Sequence, residues 1–264
     1  MTDAFTHVYL TKGRLLMISN RLKSDLHRHH AVQITTNLED KPFNIEHANS
    51  KTLESSTCII IKQNYQHRIE ANACRMLLLL EPTSIEALKI NRRFLQQNNL
   101  ATPEKMTIDF IRDQLKHFNQ TDILPIEKAA LAVDNITHHL SGSQDIEIKS
   151  DRRIDRAIDF IHQANGKDVG LNEIADAAAL SPSRLSHLFS DIIGIPIKRY
   201  LLWYKLCQTC LKMFTGGTIA DAALDSGFAD AAHFSRTCRK MFGMAPTQFV
   251  KESVNVKLAA DINI

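Results

Sequence analysis

Four histidines and one cluster of cations are the residues of this chain best equipped for chemistry. His27, His29 and His30 stand together in "LHRHHAVQ", and His67 opens "HRIEA". The i, i+2 spacing of His27 and His29 places both imidazoles on one face of an extended strand. They form the chain's candidate metal constellation, and the competing use of the same rings is direct contact with a small effector. The cations lie in "GFADAAHFSRTCRKMFGMAP", Gly227–Pro246, where Arg236, Arg239 and Lys240 share one short helix. Such a helix is either an ordinary solvated face or a probe for something negatively charged.

Other catalytic patterns are missing from the sequence. It has no Gly-rich phosphate loop and no G-x-S-x-G, and its carboxylates are scattered along helices as solvated or i, i+4 partners. Cys207-x-x-Cys210 has redox or zinc spacing but no second pair nearby, so both cysteines are expected to be packing residues. No catalytic residue and no cofactor is expected.

The 264 residues suffice for two domains with separate cores. A net charge of +3 makes no case for a polyanion partner by itself, so any such site must come from where the charges lie. Five cysteines without framework spacing suit a reducing compartment. No apolar run approaches the roughly 20 residues of a membrane span, and "MTDAFTHVYL" lacks the order of a signal peptide. The expectation is a cytoplasmic chain with no membrane partner.

Short alternating runs fill the chain from about Thr6 to Pro82, among them "RLLMIS", "AVQITT", "CIIIKQ" and "RMLLLLE". They predict an antiparallel β-barrel or sandwich. The period then changes, and "SIEALKINRRFLQQ", "TPEKMTIDFIRDQLKHF" and "LPIEKAALAVDNITHHL" read as helices. The polar stretch "SGSQDIEIKSD" is the expected linker. The expected division is residues 1–145, 150–252 and a tail, 253–264.

The helical third holds an internal repeat. Ile-Ala-Asp-Ala-Ala occurs at Ile174–Ala178 and again at Ile219–Ala223. Each copy continues into a turn, an N-cap (Ser181 or Asp230), an amphipathic helix, and a Gly followed by a Pro. Short helix, tight turn and second helix make a helix-turn-helix unit. Between the copies, "IPIKRYLLWYKLCQTCLKMF" is unbroken after Pro196, and its roughly 18 helical residues make a strut of about 27 Å at about 1.5 Å per residue. A strut of that size can hold two probe helices near one turn of B-DNA apart, about 34 Å.

These residues resemble the AraC/XylS family of bacterial transcription regulators, through "LSPSRLSHLF", "GIPIKRYL" and "IADAALDSGFADAAHFSRTCRKMFGMAPTQF". The N-terminal part is more loosely similar to the cupin-like effector domain of that family. The resemblance implies that helices at about 182–192 and 231–241 enter successive major grooves of double-stranded DNA. Matching motif to motif puts base reading at Ser183, Ser186 and His187 and at Ala231, Ala232 and Arg236, flanked by Arg184 and His233. Arg239 and Lys240, with Lys198 and Arg199, would meet phosphates. Arg236 can fork onto guanine O6 and N7. The resemblance also implies a small-molecule effector at His27, His29, His30, Gln33 and His67, a homodimer through helices between Thr102 and Leu140, and RNA polymerase as a further partner. Cupin-fold enzymes hold a divalent metal with His-x-His, a later His and often a Glu. Here Gln33 stands near the Glu position, and the expectation is no metal. The alternative reading is a metal-dependent cupin-type enzyme with a DNA-binding tail. Lys205, Cys238 and Val250 depart from the family pattern.

Overall fold

The computed structural model describes residues 5–20, 24–47, 50–70, 73–118, 122–142, 148, 150–164, 169–249 and 254–260. Eight strands come first: β1 (Thr6–Thr11), β2 (Arg14–Ser19), β3 (Val32–Asn37), β4 (Phe43–His47), β5 (Ser50–Ser56), β6 (Cys58–Ile61), β7 (His67–Glu70) and β8 (Arg75–Leu80). Helix α1 (Ile85–Phe94), the short strand β9 (Leu100–Ala101), α2 (Lys105–Leu115) and α3 (Ile126–Ser141) follow. The helical third comprises α4 (Arg152–Gln163), α5 (Leu171–Ala177), α6 (Pro182–Ile193), α7 (Ile197–Phe214), α8 (Ile219–Asp225) and α9 (Ala231–Phe242). A 3-10 turn at Pro246–Gln248 and strand β10 (Val254–Leu258) complete the described chain.

The strands form two sheets, not a closed barrel. One has seven strands in the order β10-β1-β2-β8-β3-β6-β9, the other three in the order β5-β4-β7. The barrel expected from the sequence is thus open. Its strands are antiparallel except for β10, which runs parallel to β1 with Thr6 opposite Val254 and Leu10 opposite Leu258. The residues expected as a plain tail therefore supply a strand to the N-terminal sheet. The expected linker falls mostly on residues 143–147 and 149, outside the described ones.

The large sheet is buried on both faces, and its period-2 alternation sorts side chains between two cores. Tyr9, Leu16, Ile18, Leu78 and Leu80 face α1, α2 and α3, joining Ile90, Ile111 and Ile136. Their neighbours Val8, Leu10, Met17 and Leu79 face the opposite way, into one core with α4 to α9. A one-residue slip of any of these strands would exchange the two sets. Ile59 and Ile61 of β6 meet Phe43, Ile45 and Ile69 of the small sheet in a third cluster. Each fully buried side chain of this size contributes about 1.5–3 kcal/mol.

Candidate functional site

Both helix-turn-helix units close by the same local chemistry. The amide of Leu180 donates to Ala175 O, and that of Phe228 to Ala223 O, each at 2.9 Å. The residue before each is left-handed: Ala179 at φ +53° and Gly227 at φ +79°. The second helix of each unit then starts on a side-chain cap. Ser181 Oγ accepts from Arg184 N at 3.3 Å, and Asp230 Oδ1 from His233 N at 2.5 Å. Each ends on a left-handed glycine, Gly194 or Gly243. Leu185, Phe189 and Ile193 anchor α6, while Phe234, Cys238 and Met241 anchor α9. These buried stripes leave the opposite faces outward.

The outward faces carry the residues singled out in the sequence. Ser183, Arg184 and His187 on α6, and Ala232, His233, Arg236, Arg239 and Lys240 on α9, are exposed. Ser186 and Ala231 are half-buried, and Ser186 Oγ donates to Pro182 O at 2.8 Å. His233 packs edge-on against Phe228, their centroids 5.2 Å apart. Lys205 Nζ donates to Gly227 O at 2.9 Å, bracing the turn of the second unit from α7. Cys238 is fully buried. Arg199 donates to Asn64 Oδ1 at 3.1 Å, a contact that ties the start of α7 to the sheet.

The far ends of both outward helices rest on the N-terminal part. Gln63 Nε2 donates to Ile193 O at the end of α6, at 3.4 Å. At the end of α9, Asp25 N donates to Gly243 O at 2.8 Å and Arg28 N to Lys240 O at 3.4 Å. Asp25 and Arg28 flank His27, so the histidine segment forms the seat of α9.

Between the large sheet and α7 lies a largely apolar cavity that opens to solvent. Leu15, Leu77 and Leu79 line it from the sheet, and Trp203, Phe214 and Phe242 from the helices. His27, His29, Gln33, Arg14 and Glu81 add polar groups. Arg14 is spoken for: it pairs with Glu86 at 2.7 Å and also with Asp134. Burial raises the Glu81 carboxyl above its ordinary range, favouring the neutral acid, although the Thr83 amide donates to it at 2.9 Å. Trp203 Nε1 is buried without an acceptor among the described residues. Cys207 and Cys210 also line this cavity, and their thiols are pushed well above the usual value, by burial for Cys207 and chiefly by the hydrogen bond with Cys238 for Cys210. That suits packing residues better than reactive thiolates.

Of the five residues expected to bind an effector, four converge. His27, His29 and His67 bring ligand atoms within 4.8 Å of one another. Gln33 Oε1 lies 2.7 Å from His29 Nε2 and 3.2 Å from His67 Nε2. His67 lies behind the cavity wall, whereas His27 and His29 reach the cavity itself. His30 sits apart: burial first, then the neighbouring Arg199 and Arg28, lower its pKa to about 4. The helical side of the cavity is not legible in the sequence. Trp203 and Phe242 look like core residues in sequence, and nothing local says that their partners come from the sheet.

Residues 174–252 match a family described as a helix-turn-helix domain. The helical third carries a helix-turn-helix domain. An HTH-type transcriptional regulator of Staphylococcus aureus is 29% identical over 114 residues, covering 43% of this chain and 15% of its own. The XylDLEGF operon transcriptional activator of Pseudomonas putida is 24% identical over 168 residues, 61% of this chain and 52% of that protein. The chain thus spans from 15% to about half the length of these relatives. In fold, apo ToxT of Vibrio cholerae matches with a TM-score of 0.60 at 12% identity, over 91% of this chain and 98% of that one. ToxT bound to an unsaturated fatty acid gives 0.53 at 14% identity, over 94% and 95%. The helix-turn-helix domain is therefore joined to its sheet in a known architecture. Among the described residues, no helix is long and apolar enough to cross a membrane.

Proposed function

We propose that this chain is a sequence-specific transcription regulator that lays α6 and α9 into successive major grooves of double-stranded DNA. The observation that carries the reading is the pair of capped, outward helices joined by the 18-residue α7, within a matched helix-turn-helix domain. Residues 150–252 are the DNA-binding domain and residues 1–145 the sensing and dimerisation domain. Ser183, Ser186, His187, Ala231, Ala232 and Arg236 meet base edges. Arg184, His233, Arg239 and Lys240 position the helices. Exposed Met106 on α2 and Leu131 on α3 support a homodimer through those helices. The protein acts in the cytoplasm, with RNA polymerase as a further partner and no catalytic role.

The effector occupies the cavity between sheet and α7, where it touches both domains at once. The apolar walls call for a small, largely apolar molecule, and Trp203 Nε1 supplies a donor for one acceptor group on it. ToxT, similar in fold, holds a fatty acid in one structure. Here Arg14 is already neutralised by Glu86 and Asp134, so the protein's own residues suit an uncharged polar end better than a free carboxylate.

The test is selection of duplexes from a random library with the full chain, followed by mobility shifts across a salt series. Enrichment of one motif and a steep fall in affinity with salt are expected. A flat salt response, or no enriched motif, overturns the reading.

A further inference from the structure

His27, His29 and His67 share an arrangement that their spacing in sequence does not reveal. Each ring nitrogen Nδ1 lies at hydrogen-bond distance from a backbone carbonyl: Asp25 O at 2.8 Å, Ala31 O at 3.1 Å and Tyr65 O at 3.0 Å, respectively. A carbonyl only accepts, so each Nδ1 must carry the proton. A neutral imidazole has a single N–H, which leaves every Nε2 with an outward lone pair. All three rings are buried. Gln33 then adds a further acceptor, with its Oε1 turned to two of the rings and its Nε2 donating to Thr35 Oγ1 at 2.8 Å. The Nε2 lone pairs of His29 and His67 therefore face the same amide oxygen, with His27 beside them.

We propose that His27, His29 and His67 hold a divalent first-row transition metal of the zinc class through their Nε2 atoms, with the Gln33 carbonyl beside them. Three imidazoles and an amide oxygen are borderline donors that suit Zn(II), Co(II), Ni(II) or Fe(II) over Mg(II) or Ca(II). Backbone carbonyls on the remote nitrogens are the outer support that metal-binding histidines ordinarily receive. Zinc–nitrogen bonds of about 2.0–2.1 Å put tetrahedral ligands roughly 3.4 Å apart, so ligand atoms lying as far as 4.8 Å from one another need to close by up to about 1.4 Å. No carboxylate is required for this set, which is why the missing Glu does not decide against it.

The site also has a route to the helices. The segment that carries His27 and His29 seats α9 through the amides of Asp25 and Arg28. A metal that pins this segment stiffens that seat, so occupancy biases how α9 is held. This last step rests on the reading of the chain as a DNA-binding regulator; the metal site does not.

The experiment uses the full chain without a polyhistidine tag, stripped by a chelator and titrated with Co(II) and Zn(II). Calorimetry should give one equivalent per chain, and cobalt should develop the visible bands of a nitrogen-rich, four- or five-coordinate ion. His29→Gln and His67→Gln should each weaken binding about 100-fold or more, judged against the 10–100-fold typical of losing an outer-shell partner. His30→Gln should bind as the parent does, and Gln33→Glu should tighten binding. Absence of saturable uptake overturns the site and implies that the Gln33 amide is reversed, its NH2 serving both rings. Uptake unchanged in both histidine variants also overturns it, as an adventitious ion only. Melting curves without metal check that the variants fold; should a histidine variant fail, the near-isosteric Gln33→Glu decides, and unchanged affinity there overturns the site. Mobility shifts with and without Zn(II) separate the two readings. DNA binding without metal uptake sinks only the site, whereas metal uptake without DNA binding sinks only the regulator.

Discussion

The backbone amide of Asp25 donates to the carbonyl of Gly243 at 2.8 Å, joining the histidine segment to the last residue of the α9 cap. The contact is close because Gly243 has no side chain. A Cβ there would lie 2.6 Å from Asp25 O and 2.8 Å from His27 Nδ1. Its φ of +69° adds a second reason for glycine.

Gly243→Ala should therefore cost more than its backbone conformation alone. Left-handed strain is about 1–2 kcal/mol, and forced overpacking adds about 1–3 kcal/mol. Gly216→Ala is the control, since Gly216 also has positive φ but open space around it. Urea unfolding of both variants checks the difference; equal losses would mean that the segment yields freely.

Arg236→Ala should lower affinity for the selected duplex by about 1–3 kcal/mol and relax one base position, while Lys240→Ala should weaken all sequences alike and reduce the salt slope by about 1. Mobility shifts on single-position operator variants read both effects. A uniform loss with Arg236→Ala would reassign that side chain to a phosphate.

Leu15 stands half-buried on the cavity wall. Leu15→Phe should fill space there, abolishing thermal stabilisation by any effector found in a metabolite screen while leaving operator affinity in place. Retained stabilisation would move the effector elsewhere.

Glu81 gives the pH dependence a sign. Its carboxyl titrates above the ordinary 4.5 because burial disfavours the ion. Between the ordinary and the raised value, the folded protein keeps a proton that the unfolded chain has lost. Stability from this group is therefore present at low pH and falls as pH rises through that window. Glu81→Gln removes the titration, so the parent should lose ground to the variant as pH climbs above about 4.5. Melting curves of the pair across pH measure the gap, and a gap independent of pH would contradict the assignment.

Much of this molecule could be read from its residues alone. The caps at Ser181 and Asp230, the C-terminal glycines and the repeated Ile-Ala-Asp-Ala-Ala are local signals, and the helices lie where those signals put them. Strands β4 and β5 are harder to read, because "FNIEH" alternates over only five residues and "SKTLESS" has a single apolar residue. Pairing of β10 with β1 depends on partners almost 250 residues apart, which no local pattern encodes. The same holds for the cavity: Leu77 and Trp203 each announce burial, but neither announces the other. His27 and His29 were visible as a pair, whereas the tautomers that set their chemistry depend on carbonyls placed by the fold.

The parallel pairing of β10 with β1 means that the polypeptide leaves the sheet, builds the helices and comes back to the same sheet. The helical third is thereby moored by the path of the chain at both of its extremities, like a gangway fixed at each rail. Motions that swing it wholly away would have to peel a strand from its neighbour, so signalling between the halves is confined to tilting or sliding over a shared seam. Small displacements at that seam are what a groove-reading protein needs, because shifting one helix by a fraction of a base-pair step is enough to spoil its register.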